Sequence, residues 1–458
     1  MTTIERGMTL DQIAPEVAWK AWEPSAAEPW DIRRAAMLYR RAGFGASAST
    51  LRDAVSRPAV EVIAGLFEPS QSESAAIGAF ESESELIASA VRSGGDVARL
   101  STWWLHRMLN TPLPLVEKMA LFWHGHFATG GEKVRDIEMM YRQNVMLRES
   151  ALGDFRKLVH GVAKDPAMLI YLDSATNRKA HANENFAREL MELFCLGEGH
   201  YTEMDVQELA RCFTGWEIRR RQFRFNPYQH DDRVKNLLGG EVRSGEEAID
   251  RVLDQPQLPR FIARKAFRFF VCDEPEAPDA LIEPLAQRFA ADGLKIGGMM
   301  RMLIGSRLAM SDWSLGRKVR SPIEMAVGLM RACEATTDLN RLSERLASIG
   351  QGLFFPPNVK GWDGGRAWIN SSTLVGRANL VHDLVHDPKV RFGEKPFSDW
   401  LAGGGIDDGA SLVDRMTSIY LALPLSEEQR RRLLGEGSAK NLADLMGRLA
   451  TMPQFHVA

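Results

Sequence analysis

The chain is poor in cysteine, with four in 458 residues (Cys195, Cys212, Cys272 and Cys333) and no CxxC or other metal-ligand spacing among them. So few in so long a chain exclude a disulfide framework, and the apolar helical surroundings of Cys195 and Cys212 read as buried free thiols. Long apolar runs are missing too. No window approaches the 18 or so consecutive apolar residues of a membrane span. The start, MTTIERGMTLDQIAPE, has no apolar stretch behind a basic beginning, so it does not read as a secretory signal, and a cytoplasmic location is the default. Strong charge is also lacking. A formal net charge of -3 implies no general attraction to nucleic acid or anionic membrane, and no nucleic-acid reader motif is present.

What is there is ordinary in bulk: 45% hydrophobic and 26% charged residues, the balance of a globular protein with a large core. Residues 1–30 carry Trp19, Trp22 and Trp30 among prolines and read as an arm laid over a core. From residue 31 onward apolar periodicity near 3.6 dominates, with helices expected at 31–42, in a surface pair over 66–98, at 99–127 with Pro114 in a first turn, and at 183–196. Further helices are expected at 245–254, 259–271, 279–291, 296–309, from Ser321-Pro322 to about Cys333, at 338–348, and from Ser371, Ser411 and Ser426. Residues 217–240 break the pattern. Gln222-Phe223-Arg224-Phe225 alternates as a short strand does, and Gly239-Gly240 supplies a turn. The only break resembling a linker is weak and falls near 240–258. The expectation is an all-α fold: one large multi-helical domain over 31–458 with a small β-hairpin insertion at 217–240.

Chemistry-bearing residues concentrate between Trp123 and Trp216. In WHGHF at 123–127, His124 and His126 stand two apart, which on a continuous helix puts them about 200° from each other. A helix end near Trp123, with Gly125 in the loop, would let both face one ion. Otherwise one packs on the core and the other caps the helix C-terminus. On the helix 183–196, Asn185, Glu189 and Glu192 share a polar face flanked by Arg188, a pattern able to bind a metal, hold a shared proton or form solvated ion pairs. His230-Asp231 follows a basic segment whose Arg219, Arg221 and Arg224 could receive an anion or pair with the acidic 72–86 stretch. Last comes a Gly- and Trp-rich loop at 352–368, with Asn358, Lys360, Trp362, Asp363 and Arg366. No complete catalytic signature appears. Gly125 to Lys133 lacks the GK[ST] of a phosphate loop, no serine sits in G-x-S-x-G, and HxH is not H-E-x-x-H.

These motifs in this order resemble one bacterial family, domain of unknown function 1800. The resemblance rests on AGFG at 42–45, LFWHGHFAT at 121–129, NENFARELMELFCLGEGHYTEMDVQELARCFTGW at 183–216, FNPYQHD at 225–231, RFIARKAFRFFV at 260–271, VRSPIEMAV at 319–327 and LFFPPNVKGWDGGRAWINSSTL at 353–374. It covers about residues 30 to 390. It implies a mostly helical fold and no established activity. It also implies a neighbouring gene product resembling sulfatases and alkaline phosphatases. Many members look exported whereas this chain lacks the signal, so it either works inside the cell or leaves with a signal-bearing partner. Relatives often have HNHF where this chain has His124-Gly125-His126-Phe127.

Two functions are expected from the residues. The first is a metal-dependent hydrolase acting on an anionic substrate. His124, His126, Glu189, Glu192 and His230 would be its ligands to a divalent ion (Zn, Fe, Mn or Mg), Asp231 its base or orienting group, and Arg188 its charge stabiliser. Arg219, Arg221, Arg224, Asn358 and Trp362 would contact substrate. The second is a non-catalytic binding or assembly protein that pairs with the sulfatase-like protein through the Arg219–Arg224 segment and the Trp362 loop.

Overall fold

The computed structural model describes residues 4–435 and 441–458. Helices build most of it, with 24 α-helices among the described residues against three two-stranded antiparallel sheets. The chain is therefore all-α, as its 3.6-residue periodicity predicts. Helices that position the site are α1 (Ile32–Arg41), α2 (Leu100–Asn110), α3 (Pro114–His126), α4 (Ile137–Glu149), α5 (Asn185–Glu189, continued by a π-helical turn over Leu190–Cys195), α6 (Leu258–Phe270), α7 (Pro322–Cys333), α8 (Ser371–His386) and α9 (Leu442–Leu449).

Start signals sit where local chemistry puts them. Asp31 accepts from the amide of Arg34 and opens α1, and Pro114 stands in the first turn of α3. Ser321 and Glu324 close a reciprocal capping box on α7 behind Pro322. The surface pair expected over 66–98 is instead one long helix, Ser74–Ser93, behind a short 3-10 turn, because its Glu residues and all its Ser residues but the buried Ser84 face solvent without interrupting the turn. The 217–240 insertion is two hairpins. Trp216–Arg219 pairs with Gln222–Phe225 through a turn in which Arg220 and Arg221 both have positive φ. Lys235–Leu237 pairs with Gly240–Val242 through Leu238-Gly239, one residue earlier than the expected Gly239-Gly240 turn.

The N-terminal segment lies on the core through its tryptophans. The Trp19 indole donates to the Leu281 carbonyl at 2.7 Å, and Trp30 donates to the Arg57 carbonyl at 3.1 Å. The last residues return to the same core, where the Arg320 amide donates to the His456 carbonyl and the Ala458 amide to the Lys318 carbonyl. All four cysteines are free and buried.

α3 is the buried centre, with only Val116 and Gly125 partly exposed along its whole length. It therefore carries charge inward, and each charge has a partner. Glu117 accepts from Arg107 at 2.6 Å on α2, from Arg148 at 2.7 Å on α4 and from the Trp104 indole at 2.9 Å. Burial works to raise the Glu117 pKa, but Arg148 and Arg107 outweigh it and hold the group ionised. Next to it, Lys118 is paired with Glu324 on α7. Removing one member of such a cluster strands the others. Glu117→Leu should cost about 3–5 kcal/mol of stability in urea unfolding, and a loss under about 1 kcal/mol, the worth of a surface pair, would show that this cluster does not hold α2, α3 and α4 together.

Candidate functional site

A cavity of about 320 Å³ opens beside α3, within the range that takes a small organic ligand. Three helices and a loop shape it. α3 contributes Leu121, Phe122, Gly125 and His126, one face by helical spacing. α6 contributes Lys265, Arg268 and Phe269 at i, i+3 and i+4, while its opposite face (Ala263, Phe267, Phe270) is buried in the core. The start of α7 contributes Ser321 and Glu324, and the 352–368 loop brings Lys360, Trp362, Asp363 and Trp368. The loop lies flat on α3 because Gly361, at φ +77°, places its backbone against the Gly125 carbonyl, where any Cβ would overlap that oxygen. Trp362 then stacks over Gly125 and meets His124, with ring centroids 5.7 Å apart.

Lys265 forms the most distinctive wall. Its ammonium donates to the Leu193 carbonyl at 2.7 Å and to His126 Nδ1 at 3.2 Å, and lies over the Phe261 ring. The carbonyls come from the π-helical turn of α5, in which the Leu196 amide reaches back five residues to Met191. The carbonyls of Leu193 and Phe194, in this last turn, are thereby free to accept from side chains. Phe194 takes His126 Nε2 at 3.0 Å. That fixes the tautomer: Nε2 carries the proton, and Nδ1 accepts from Lys265. Burial, with a smaller contribution from Arg268, brings the Lys265 pKa down to about 8. Burial and then Lys265 itself keep His126 neutral, far below the usual imidazole range.

The five residues expected to bind one metal do not form one site. α3 stays helical through His126, past the break at Trp123 that a shared ion required, so the two imidazoles point to different sides. His124 Nε2 accepts the Phe354 amide at 3.1 Å, with the ring edge-on to Trp104 and Phe354. Its lone pair is consumed, as is that of His126, so neither ring has an electron pair to give a metal. The turns of α5 widen after Glu189, so the 100° count that aligned Asn185, Glu189 and Glu192 fails. Glu192 accepts from the Tyr201 hydroxyl at 2.8 Å. Burial and then Glu192 raise the Glu189 pKa, against Arg188 and Lys360. His230 faces two carbonyl oxygens, those of Thr214 at 2.8 Å and Arg243 at 3.3 Å. No three of these five place ligand atoms within 4.8 Å of one another. The described cluster that does, His382, His386 and Asp444, is exposed on α8 and α9.

The remaining expected residues scatter as well. Asp231 is locked by Arg233 at 2.6 Å and Arg211 at 2.9 Å, which hold it far below the usual carboxylate range and remove it as a base. Arg188 is paired with Glu184 and Glu203. Arg219 is exposed, Arg221 pairs with Asp136, Arg224 sits 3.7 Å from Glu217, and Asn358 shapes its own turn by accepting from the Lys360 amide. The acidic 72–86 stretch pairs elsewhere, through Glu81 with Arg107 and Glu85 with Arg92. Of the expected site residues, His126 and Trp362 reach the cavity. Lys265, Arg268 and Lys318 were missed. The signal for Lys265 and Arg268 was the mixed basic and aromatic face of RFIARKAFRFFV, which composition alone assigns to a solvated helix; Lys318 lies outside that segment.

Fold and cavity together define a helical protein with a cationic, aromatic-lined pocket. The family model described as protein of unknown function (DUF1800) matches residues 37–457, and the chain belongs to that family. No curated protein and no solved structure matches it. No helix among the described residues is long and apolar enough to cross a membrane.

Burial sets a pH test for His124, whose pKa is pushed down to about 3. The unfolded imidazole takes its proton near pH 6.5, the folded one only near 3, so the stability His124 contributes is full above about 6.5 and falls as pH drops. His124→Gln keeps an acceptor for the Phe354 amide and removes the titration. Between pH 6 and 4 the native chain should lose about 1.4 kcal/mol more per pH unit than the variant. Parallel curves in chemical denaturation would contradict a buried neutral ring.

Proposed function

We propose that the chain is an enzyme for a small molecule bearing a carboxylate or phosphate on an aromatic or apolar body. The observation that carries this reading is the Lys265 ammonium, held by His126 Nδ1 and the Leu193 carbonyl at the wall of a cavity that also presents Arg268, Lys318 and Lys360. Phe122, Phe269, Trp362 and Trp368 would hold the apolar body, and the cations its acidic group. A lysine whose pKa sits near 8 exchanges a proton near neutral pH, so Lys265 is the residue we assign as proton donor to the bound substrate. Hydrolysis remains compatible with that role. A single metal bound by His124, His126, Glu189, Glu192 and His230 is not supported, because no three of them bring ligand atoms together.

A second reading, assembly with a partner such as the neighbouring sulfatase-like protein, is favoured by one feature. Phe225 and Tyr228, 45% and 82% exposed, stand beside Arg219 and Arg224 at the first hairpin. Co-purification that is lost on Phe225→Ser/Tyr228→Ser would support it.

Calorimetric titration with phenyl phosphate and benzoate, against phenol and benzylamine, tests the first reading. The anionic probes should bind, and Lys265→Met should weaken them about 10- to 100-fold, the worth of one charged hydrogen bond. Binding should also fall above about pH 8, as the Lys265 amine loses its proton and with it the charge that attracts the anion. Equal affinity for the neutral and cationic probes, or no effect of the variant, would overturn it.

A further inference from the structure

Behind the ligand cavity lies a second, much smaller space of about 10 Å³, room for a single water-sized particle. Lys318 and Glu324 line both, so they form the partition. The inner side is crowded with cations: Arg40 and Arg41 from α1, Lys118 from α3, then Lys318 and Arg320.

Their partners are unevenly shared. Glu324, the carboxylate on this wall, takes Lys118, sits 4.0 Å from Lys318 and accepts the Ser321 amide. Arg41 donates to the carbonyls of Phe270, Val271, Ser314 and Ala458. Arg320 donates to those of Tyr420 and Phe455, with its guanidinium 3.9 Å from the Tyr420 ring centre. Carbonyl oxygens solvate these groups without neutralising them. Arg40 has nothing. Its side chain is 7% exposed, and Nε, Nη1 and Nη2 are all buried without a partner among the described residues. Lys318 also has Asp273 at 3.5 Å, so even if Ala458 carries a terminal carboxylate, five cations face three anions.

We propose that this inner space is a binding site for a single-atom inorganic anion, a halide, held by the Arg40 guanidinium with Arg41 and Arg320 around it. Arginine does not shed its proton in proteins, although burial and the repulsion of Arg320, Arg41 and Arg33 all press it to do so here. The charge must therefore be matched from outside the chain. One water would accept only a fraction of the unpartnered N–H groups and would bring no charge, whereas a halide accepts from several donors at once. Phosphate, sulfate and carboxylate ligands exceed the volume.

The direct test is diffraction from crystals of the full chain soaked in sodium bromide. A bromine anomalous peak within hydrogen-bond reach of Arg40 is expected, and density there without anomalous signal would overturn the proposal in favour of water. In solution, chloride or bromide replacing gluconate at constant ionic strength should raise the melting temperature by several degrees, and Arg40→Met should abolish that rise. A halide response of the variant equal to that of the native chain would place the anion elsewhere and overturn the assignment. The diffraction arm uses the native protein, so the test stands even if the variant fails to fold.

Discussion

The structure depends on one constraint, that α3 is buried on nearly every side yet carries Glu117, Lys118, His124 and His126. A helix so placed cannot leave a polar group unanswered, because nothing around it substitutes for water. Each of its polar residues therefore dictates a neighbour. Glu117 draws in Arg107 and Arg148, Lys118 draws in Glu324, His124 receives the Phe354 amide, and His126 is clamped between Phe194 and Lys265. The packing of α2, α4, α6, α7 and the 352–368 loop around α3 is in large part the list of those answers.

The cavity is a by-product of the same arrangement. His126 uses its proton on the π-helical turn of α5 and so offers its lone pair to Lys265, which is thereby fixed at the wall, where burial lowers its pKa. The Gly361–Gly125 approach then seats Trp362 across the opening. Fixed positive charge, a ring-lined wall and enclosed volume coincide in one place because one helix required partners on that side.

Much of the fold was legible in the sequence. Capping residues such as Asp31 and Ser321, and proline at 114 and 322, mark helix starts because their chemistry is local. The hairpin at Gln222–Phe225 was legible for the same reason. The site was legible only in part. His126 and Trp362 stood out by residue type and do reach the cavity, but their role depends on Lys265, which lies 139 residues from His126 and carries no local signature. The metal reading failed on two features that spacing does not reveal: the continuation of α3 through Gly125 to His126, and the π turn that shifts Glu192 out of the alignment counted from Asn185. Buried hydrogen bonds from distant segments, above all the Phe354 amide on His124, then used the lone pairs a metal would have needed.

The central claim is that Lys265 is a partly buried, oriented amine facing the cavity and not an ordinary surface lysine. It is tested most directly by NMR titration of the Lys265 amine, assigned by comparison with Lys265→Arg, in the full-length protein. A pKa near 8 is what its desolvation at the cavity wall, with Arg268 nearby, predicts. A value near 10.4, that of a free lysine, would contradict the account.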